Sequence, residues 1–153
     1  MSDTNKQVVS VLNDLLENTR DGEYGFKTCA EQVETSSTKM LFAARAAGCA
    51  EAARELEAAI RQHGGEPADG GTAAGALHRG WVSVKSALST RDDKAVLEEC
   101  ERGEDAAVAR YRKALKSGGL PANVRALLER QLQGAQRNHD EVKALRDSYA
   151  NRA

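Results

Sequence analysis

Aromatic side chains make up only 4% of the chain, and there are just two prolines. No stretch alternates convincingly between apolar and polar residues with period two, which excludes a sheet of half-buried strands. No apolar run is long enough to span a bilayer as a helix, so no membrane partner is expected. The opening MSDTNKQVVS lacks the basic segment and long apolar core of a secretion signal, which leads to the expectation of a cytoplasmic protein. A formal charge of −1 leaves no basic footprint for nucleic acid. No glycine-rich loop follows a strand, and no nucleophile stands in a strand–turn–helix context, so nucleotide binding and serine-type hydrolysis lack support. The cysteines, Cys29, Cys49 and Cys100, are odd in number and without zinc-type spacing. That pattern predicts buried reduced thiols rather than a disulfide.

What is abundant is Ala, Leu, Glu, Arg and Lys, the composition of an all-helical protein. A chain of 153 residues suffices for a single domain with its own core, and one domain over residues 1–153 is expected. Apolar periodicity predicts helices over about 4–34, 38–62, 73–89, 92–116 and 121–149. In the first, Val8, Leu12, Leu15, Thr19, Gly22, Phe26, Cys29 and Val33 recur at steps of three and four. The phase is unchanged across Gly22 and Gly25, which predicts one unbroken helix despite a cost of ~1 kcal/mol per glycine. The second is rich in Ala, whose small side chains permit close approach, and it is the expected subunit contact of a homo-oligomer, a dimer. The 73–89 segment, with Trp81 and the pair His78-Arg79, reads as a short helix inside a long crossover. Ser117-Gly118-Gly119-Leu120-Pro121 stops one helix and starts the next.

Two seams carry a polar exception. Leu97–Leu115 places Leu97, Cys100, Glu104, Ala107, Tyr111 and Ala114 on one face, with an acid where an apolar side chain is expected. The last helix places Val124, Leu128, Leu132, Ala135, His139, Val142 and Tyr149 on its face. Folding back at Gly118-Gly119 puts His139 about one turn, ~5 Å, from Glu104 along the axis, so the two are expected to be neighbours. Gly22-Glu23 and Gly103-Glu104 form a weak internal repeat at matching seam heights. A buried acid needs a partner, a proton or a metal.

Two helix hairpins joined by a long crossover, with an acid central to the first and third helices, is the ferritin-like plan. A di-iron centre on that plan takes a Glu from each of two helices and Glu-x-x-His from each of the other two. Glu23 and Glu104 fit the single-Glu positions. Helix four offers Gln136-Arg137-Asn138-His139, with an amide for the acid. Helix two offers Glu51-Ala52-Ala53-Arg54, with an arginine for the imidazole. The first expectation is no cofactor; were a metal bound, the candidate ligands are Glu23, Glu104 and His139, with iron or zinc as the ion. The competing reading is a buried hydrogen-bonded Glu104–His139 pair that sets helix register, joined by Glu23 or Tyr111.

Several stretches carry a resemblance: Leu12-Asn13-Asp14-Leu15-Leu16, Asp21-Gly22-Glu23, Gly64-Gly65-Glu66-Pro67, Gly75-Ala76-Leu77-His78-Arg79-Gly80-Trp81, Cys100-Glu101-Arg102-Gly103-Glu104-Asp105 and Leu127-Leu128-Glu129-Arg130-Gln131. On them the chain resembles the bacterial ferritin-like four-helix-bundle proteins grouped as a domain of unknown function. The resemblance implies a ferritin-like bundle and no established reaction. Relatives often have an acidic residue in the middle of helix two, where this chain reads Ala46-Ala47-Gly48-Cys49-Ala50. The expectation is an all-α, ferritin-like up-down four-helix bundle, acting as a non-enzymatic structural or interaction protein with a degenerate metal site. A stress-related role follows by analogy. The alternative is a metal-binding or di-iron carboxylate oxidase or ferroxidase.

Overall fold

The computed structural model describes residues 3–68 and 93–150. The described residues form four α-helices and no strand: α1 (Asp3–Gln32), α2 (Ser36–Gln62), α3 (Asp93–Lys116) and α4 (Ala122–Ala150). The short helix expected over 73–89, with Trp81 and His78-Arg79, lies outside the described residues. No described helix is long and apolar enough to cross a membrane.

Every seam residue of α1 from Val8 to Cys29 is buried, and the helix runs unbroken through Gly22 and Gly25. Core burial over that many positions outweighs two unfavourable glycine propensities. α2 begins two residues earlier than its sequence suggests. Thr35 is extended, at φ −69° and ψ 123°, so the helix starts at Ser36, and Thr38 becomes a fully buried position in its first turn. The helix closes at Gly64, whose φ of 80° lets the Gly65 N–H donate to the Ile60 carbonyl at 3.0 Å. Gly119, at φ 84°, turns the chain between α3 and α4.

Side-chain pairs fix the arrangement. Arg20 meets Glu57 between α1 and α2, and Tyr111 meets Gln131 between α3 and α4. Asp14 meets Arg110 between α1 and α3; Arg45 meets Glu141 and Glu55 meets Arg130 between α2 and α4. Further contacts, Phe26 with Phe42, Cys29 with Cys100 and Glu101 with Arg146, show higher numbers on one helix matching lower numbers on the other in each pair, so all four neighbouring pairs are antiparallel. Helices α2 and α3 are thereby diagonal and parallel, an arrangement that a long crossover between them satisfies.

The apolar core is divided in two. One cluster holds Phe26, Cys29, Val33, Phe42, Ala46, Val96, Leu97, Cys100 and Val142, with the Phe26 and Phe42 rings 6.0 Å apart. The other holds Val8, Leu12, Leu15, Leu16, Leu56, Ile60, Tyr111, Val124 and Leu128 among others. Fully burying one Leu or Phe contributes about 1.5–3 kcal/mol, so either half has many times the driving force of any surface ion pair. The three cysteines are free thiols, with Cys29 and Cys100 facing each other at 3.7 Å between their sulfurs.

Between the two halves the helices carry small residues. A Cβ added at Gly48 would meet nothing within 4 Å, whereas one at Gly22 would lie 3.2 Å from the Cys49 sulfur. Gly48→Ala is therefore expected to raise stability by about 0.5–1 kcal/mol, with Gly22→Ala gaining clearly less. Denaturant unfolding of both variants checks this. Equal gains would contradict the close packing of Gly22 on Cys49.

Candidate functional site

The gap between the two core clusters is a cavity of about 460 Å³. Each helix gives it one glycine: Gly22 from α1, Gly48 from α2, Gly103 from α3 and Gly134 from α4. Side chains of ordinary size at these levels would fill the waist. Glycine leaves it open, and Thr19, Cys49, Ala107 and Ala135 add small side chains among larger ones such as Phe26, Arg45 and Tyr111.

Glu104 projects from α3 into this space. It is 5% exposed, and both carboxyl oxygens are buried with no hydrogen-bond partner among the described residues. Burial pushes its pKa from 4.5 up to about 8. The Arg45 guanidinium opposes the rise, and the carboxylates of Glu141, Asp105 and Glu101 reinforce it. Arg45 does not close an ion pair with Glu104. Its guanidinium binds Glu141 of α4 at 2.8 Å, and its Nε is buried without a partner among the described residues. Cys49 lies on the same wall, and burial, helped by Glu104 and Glu23, raises its thiol pKa to about 12. At neutral pH the waist therefore presents a protonated acid and a thiol.

One side of the cavity is closed by a satisfied polar chain. The Tyr111 hydroxyl donates to Gln131 Oε1 at 2.8 Å. The Gln131 amide donates to Glu55 at 3.1 Å and to the Ala52 carbonyl at 3.3 Å, and Arg130 holds the other Glu55 oxygen at 2.6 Å. Three helices are tied together by this chain, which matches the general rule that buried polar groups find partners. Glu104 is not part of it.

His139 is turned elsewhere. Its Nε2 lies 2.7 Å from Asp105 Oδ1 and 3.5 Å from Glu101 Oε1, and its Nδ1 lies 3.3 Å from Asp140 Oδ1. Arg146 binds the second oxygen of Glu101. The expected Glu104–His139 pair does not form. Equal height along the axis does not fix rotation: Glu104 and Asp105 are one residue apart, which is about 100° around a helix. Asp105 and Glu101, four apart, share the stripe that faces His139, while Glu104 faces the cavity. Glu23 is half-buried on α1 and acts on Cys49 and Arg54 of α2. Glu51 points outward to Arg54, at 63% side-chain exposure.

Tested against a di-iron centre, the cavity residues do not fit. Glu104 is the single buried carboxylate on its walls among the described residues. Helix α2 brings Arg45, Gly48 and Cys49, with Glu51 and Glu55 paired to Arg54 and Arg130, and α4 brings Gln131, Gly134 and Asn138. A pair of metal ions needs several carboxylates to neutralise it, and a facing guanidinium works against it. Sequence reasoning missed Gln131, Glu55 and Arg45 in the waist, and Glu101 and Asp105 beside His139. A signal for Gln131 was present. Val124, Leu128, Gln131 and Ala135 keep a four-three-four step that the path through Leu132 breaks, and Gln131 is the more buried of the two.

The raised Glu104 pKa has a defined consequence. The folded protein holds this proton more tightly than the unfolded chain does. Stability must therefore fall as pH rises from about 4.5 to about 8, by up to about 1.4 kcal/mol per pH unit, and level off above. Glu104→Gln is expected to lose that slope and to be more stable than the parent at pH 8. Denaturant titrations across pH in chelator-containing buffer check it. An unchanged slope in the variant would contradict the assignment.

No curated protein matches the chain. Among solved structures it is similar to a protein from Bacillus anthracis str. Ames described as ferritin like, diiron-carboxylate. The TM-score is 0.74 at 21% identity, over 95% of this chain and 99% of that one. It is also similar to a mutant form of Dps1 from Mycobacterium smegmatis, with TM-score 0.74 at 18% identity, over 94% of this chain and 98% of that one. These likenesses establish a ferritin-like four-helix bundle. Residues 7–117 match the family described as Domain of unknown function (DUF2383), and the chain belongs to that family.

Proposed function

We propose that this protein is a non-enzymatic ferritin-like bundle, a structural or interaction protein in which the di-iron position has given way to an open waist. The observation that supports this most is Glu104: one buried acid, both oxygens unpartnered among the described residues, while the other carboxylates lining the cavity, Glu51 and Glu55, are paired with Arg54 and Arg130. A stress-related role is proposed with it on fold analogy. The alternative, a metal-binding or di-iron oxidase-type protein centred on Glu23, Glu104 and His139, requires those three to converge. His139 is instead engaged with Asp105, and both Glu104 oxygens have no hydrogen-bond partner among the described residues.

Addition of Fe(II) under anaerobic conditions, followed by air, separates the two. The proposal expects no iron-dependent oxygen consumption above buffer and no pair of irons per chain by elemental mass spectrometry. Two irons per chain, lost in Glu104→Gln, would establish the oxidase reading in its place.

The protein is further proposed to act as a dimer through α2. Met40 is 72% exposed, and Ala43, Ala44 and Ala47 are exposed on the same helix, giving a low surface onto which a second copy can pack closely. Ala47→Glu is expected to shift the protein from dimer to monomer in light scattering. A parent protein that is monomeric at tens of micromolar would contradict the assignment.

A further inference from the structure

The cluster around His139 is separate from the waist, and the proposed function does not use it. Glu101 and Asp105 lie one turn apart on α3, and His139 reaches them from the antiparallel α4. One ligand atom from each, Glu101 Oε1, Asp105 Oδ1 and His139 Nε2, lies within 4.8 Å of the other two. Metal–ligand bonds of about 2.0–2.1 Å in a tetrahedral shell set ligand atoms about 3.3 Å apart. The observed separations of 2.7 and 3.5 Å from the imidazole bracket that value, so modest side-chain shifts suffice.

The surroundings orient the donors. Without an ion, Nε2–H donates to Asp105 Oδ1 at 2.7 Å; a bound ion would displace that proton, and Asp140 Oδ1, 3.3 Å from Nδ1, would then accept from Nδ1–H and hold the ring in place. Arg146 takes the second oxygen of Glu101 and leaves Oε1 to the cluster. Three acids against one guanidinium give a negative local balance that suits a cation. Asp105 is 63% exposed, so the site is open to solvent, and water can complete a shell.

We infer that Glu101, Asp105 and His139 form a mononuclear site for a divalent first-row transition ion, on the α3–α4 face and outside the central cavity. One nitrogen and two carboxylate oxygens suit zinc and its neighbours better than calcium or magnesium, which favour all-oxygen shells. The inference does not depend on the absence of an oxidase centre in the waist.

The test is calorimetric titration of Zn(II) into the chelator-treated full chain, with Co(II) visible absorption as a second readout of coordination. One ion per chain is expected. His139→Ala and Asp105→Ala should each weaken uptake by about 100-fold or more, and Asp140→Ala by about 10-fold. Glu104→Gln should leave it within about twofold. Asp105 is exposed, so its variant tests the site without disturbing the core, and circular dichroism confirms folding of each variant. No saturable uptake, or uptake unchanged in both His139→Ala and Asp105→Ala, would overturn the inference. So would uptake that is lost in Glu104→Gln but kept in Asp105→Ala, since that ion would sit in the cavity. Iron oxidation by the same protein would defeat the proposed function while leaving the zinc result intact.

Discussion

A carboxyl group buried with no hydrogen-bond partner among the described residues constrains everything around it. Glu104 sits where the two apolar halves of the bundle part, and the helices there are thinned to glycine. An ionised carboxylate in such a place would cost several kcal/mol, so the proton stays on and the pKa rises to about 8. Arg45 could lower that cost by pairing with it but is held by Glu141 across the α2–α4 gap. The waist is thus a place where the fold gives up packing. The two apolar clusters and the Tyr111–Gln131–Glu55–Arg130 chain hold the helices together on either side.

Much of this was legible in the chain itself. The four-three step of α1 predicted a single helix through Gly22 and Gly25, because packing phase is a stronger signal than local propensity once a helix has a core to bury. Glu104 stood out as an acid on an apolar seam, and it is buried. The pairing of His139 was not legible. Antiparallel hairpins fix height along the axis, but a one-residue step turns a side chain by about 100°, and seam counting does not resolve which of two adjacent acids faces a neighbour. Arg45 was hidden for a related reason. Its helix is so rich in alanine that the seam has little contrast, and a long side chain can reach the interior from beside it.

Two chemistries that a di-iron protein would combine are here held apart. The buried acid faces a cavity whose other carboxylates among the described residues, Glu51 and Glu55, are held by arginines. The imidazole has carboxylates on both sides and an open route to solvent. The separation follows from the rotation of α3, which turns Glu104 inward and Glu101 and Asp105 toward α4. The chain has the ferritin-like fold, with TM-scores of 0.74 to solved structures at 18% and 21% identity, and in it the buried acid and the imidazole lie on different faces.

With its pKa raised to about 8, Glu104 is expected to be mostly neutral in the waist of the folded protein at neutral pH. The direct measurement is a carbon-13 NMR titration of the glutamate carboxyl groups, with Glu104 assigned from Glu104→Gln. A midpoint near 8 for that resonance is the predicted result. A midpoint near the ordinary 4.5 would mean that the carboxylate is ionised and stabilised inside the bundle, and the account of an unpartnered acid would be wrong.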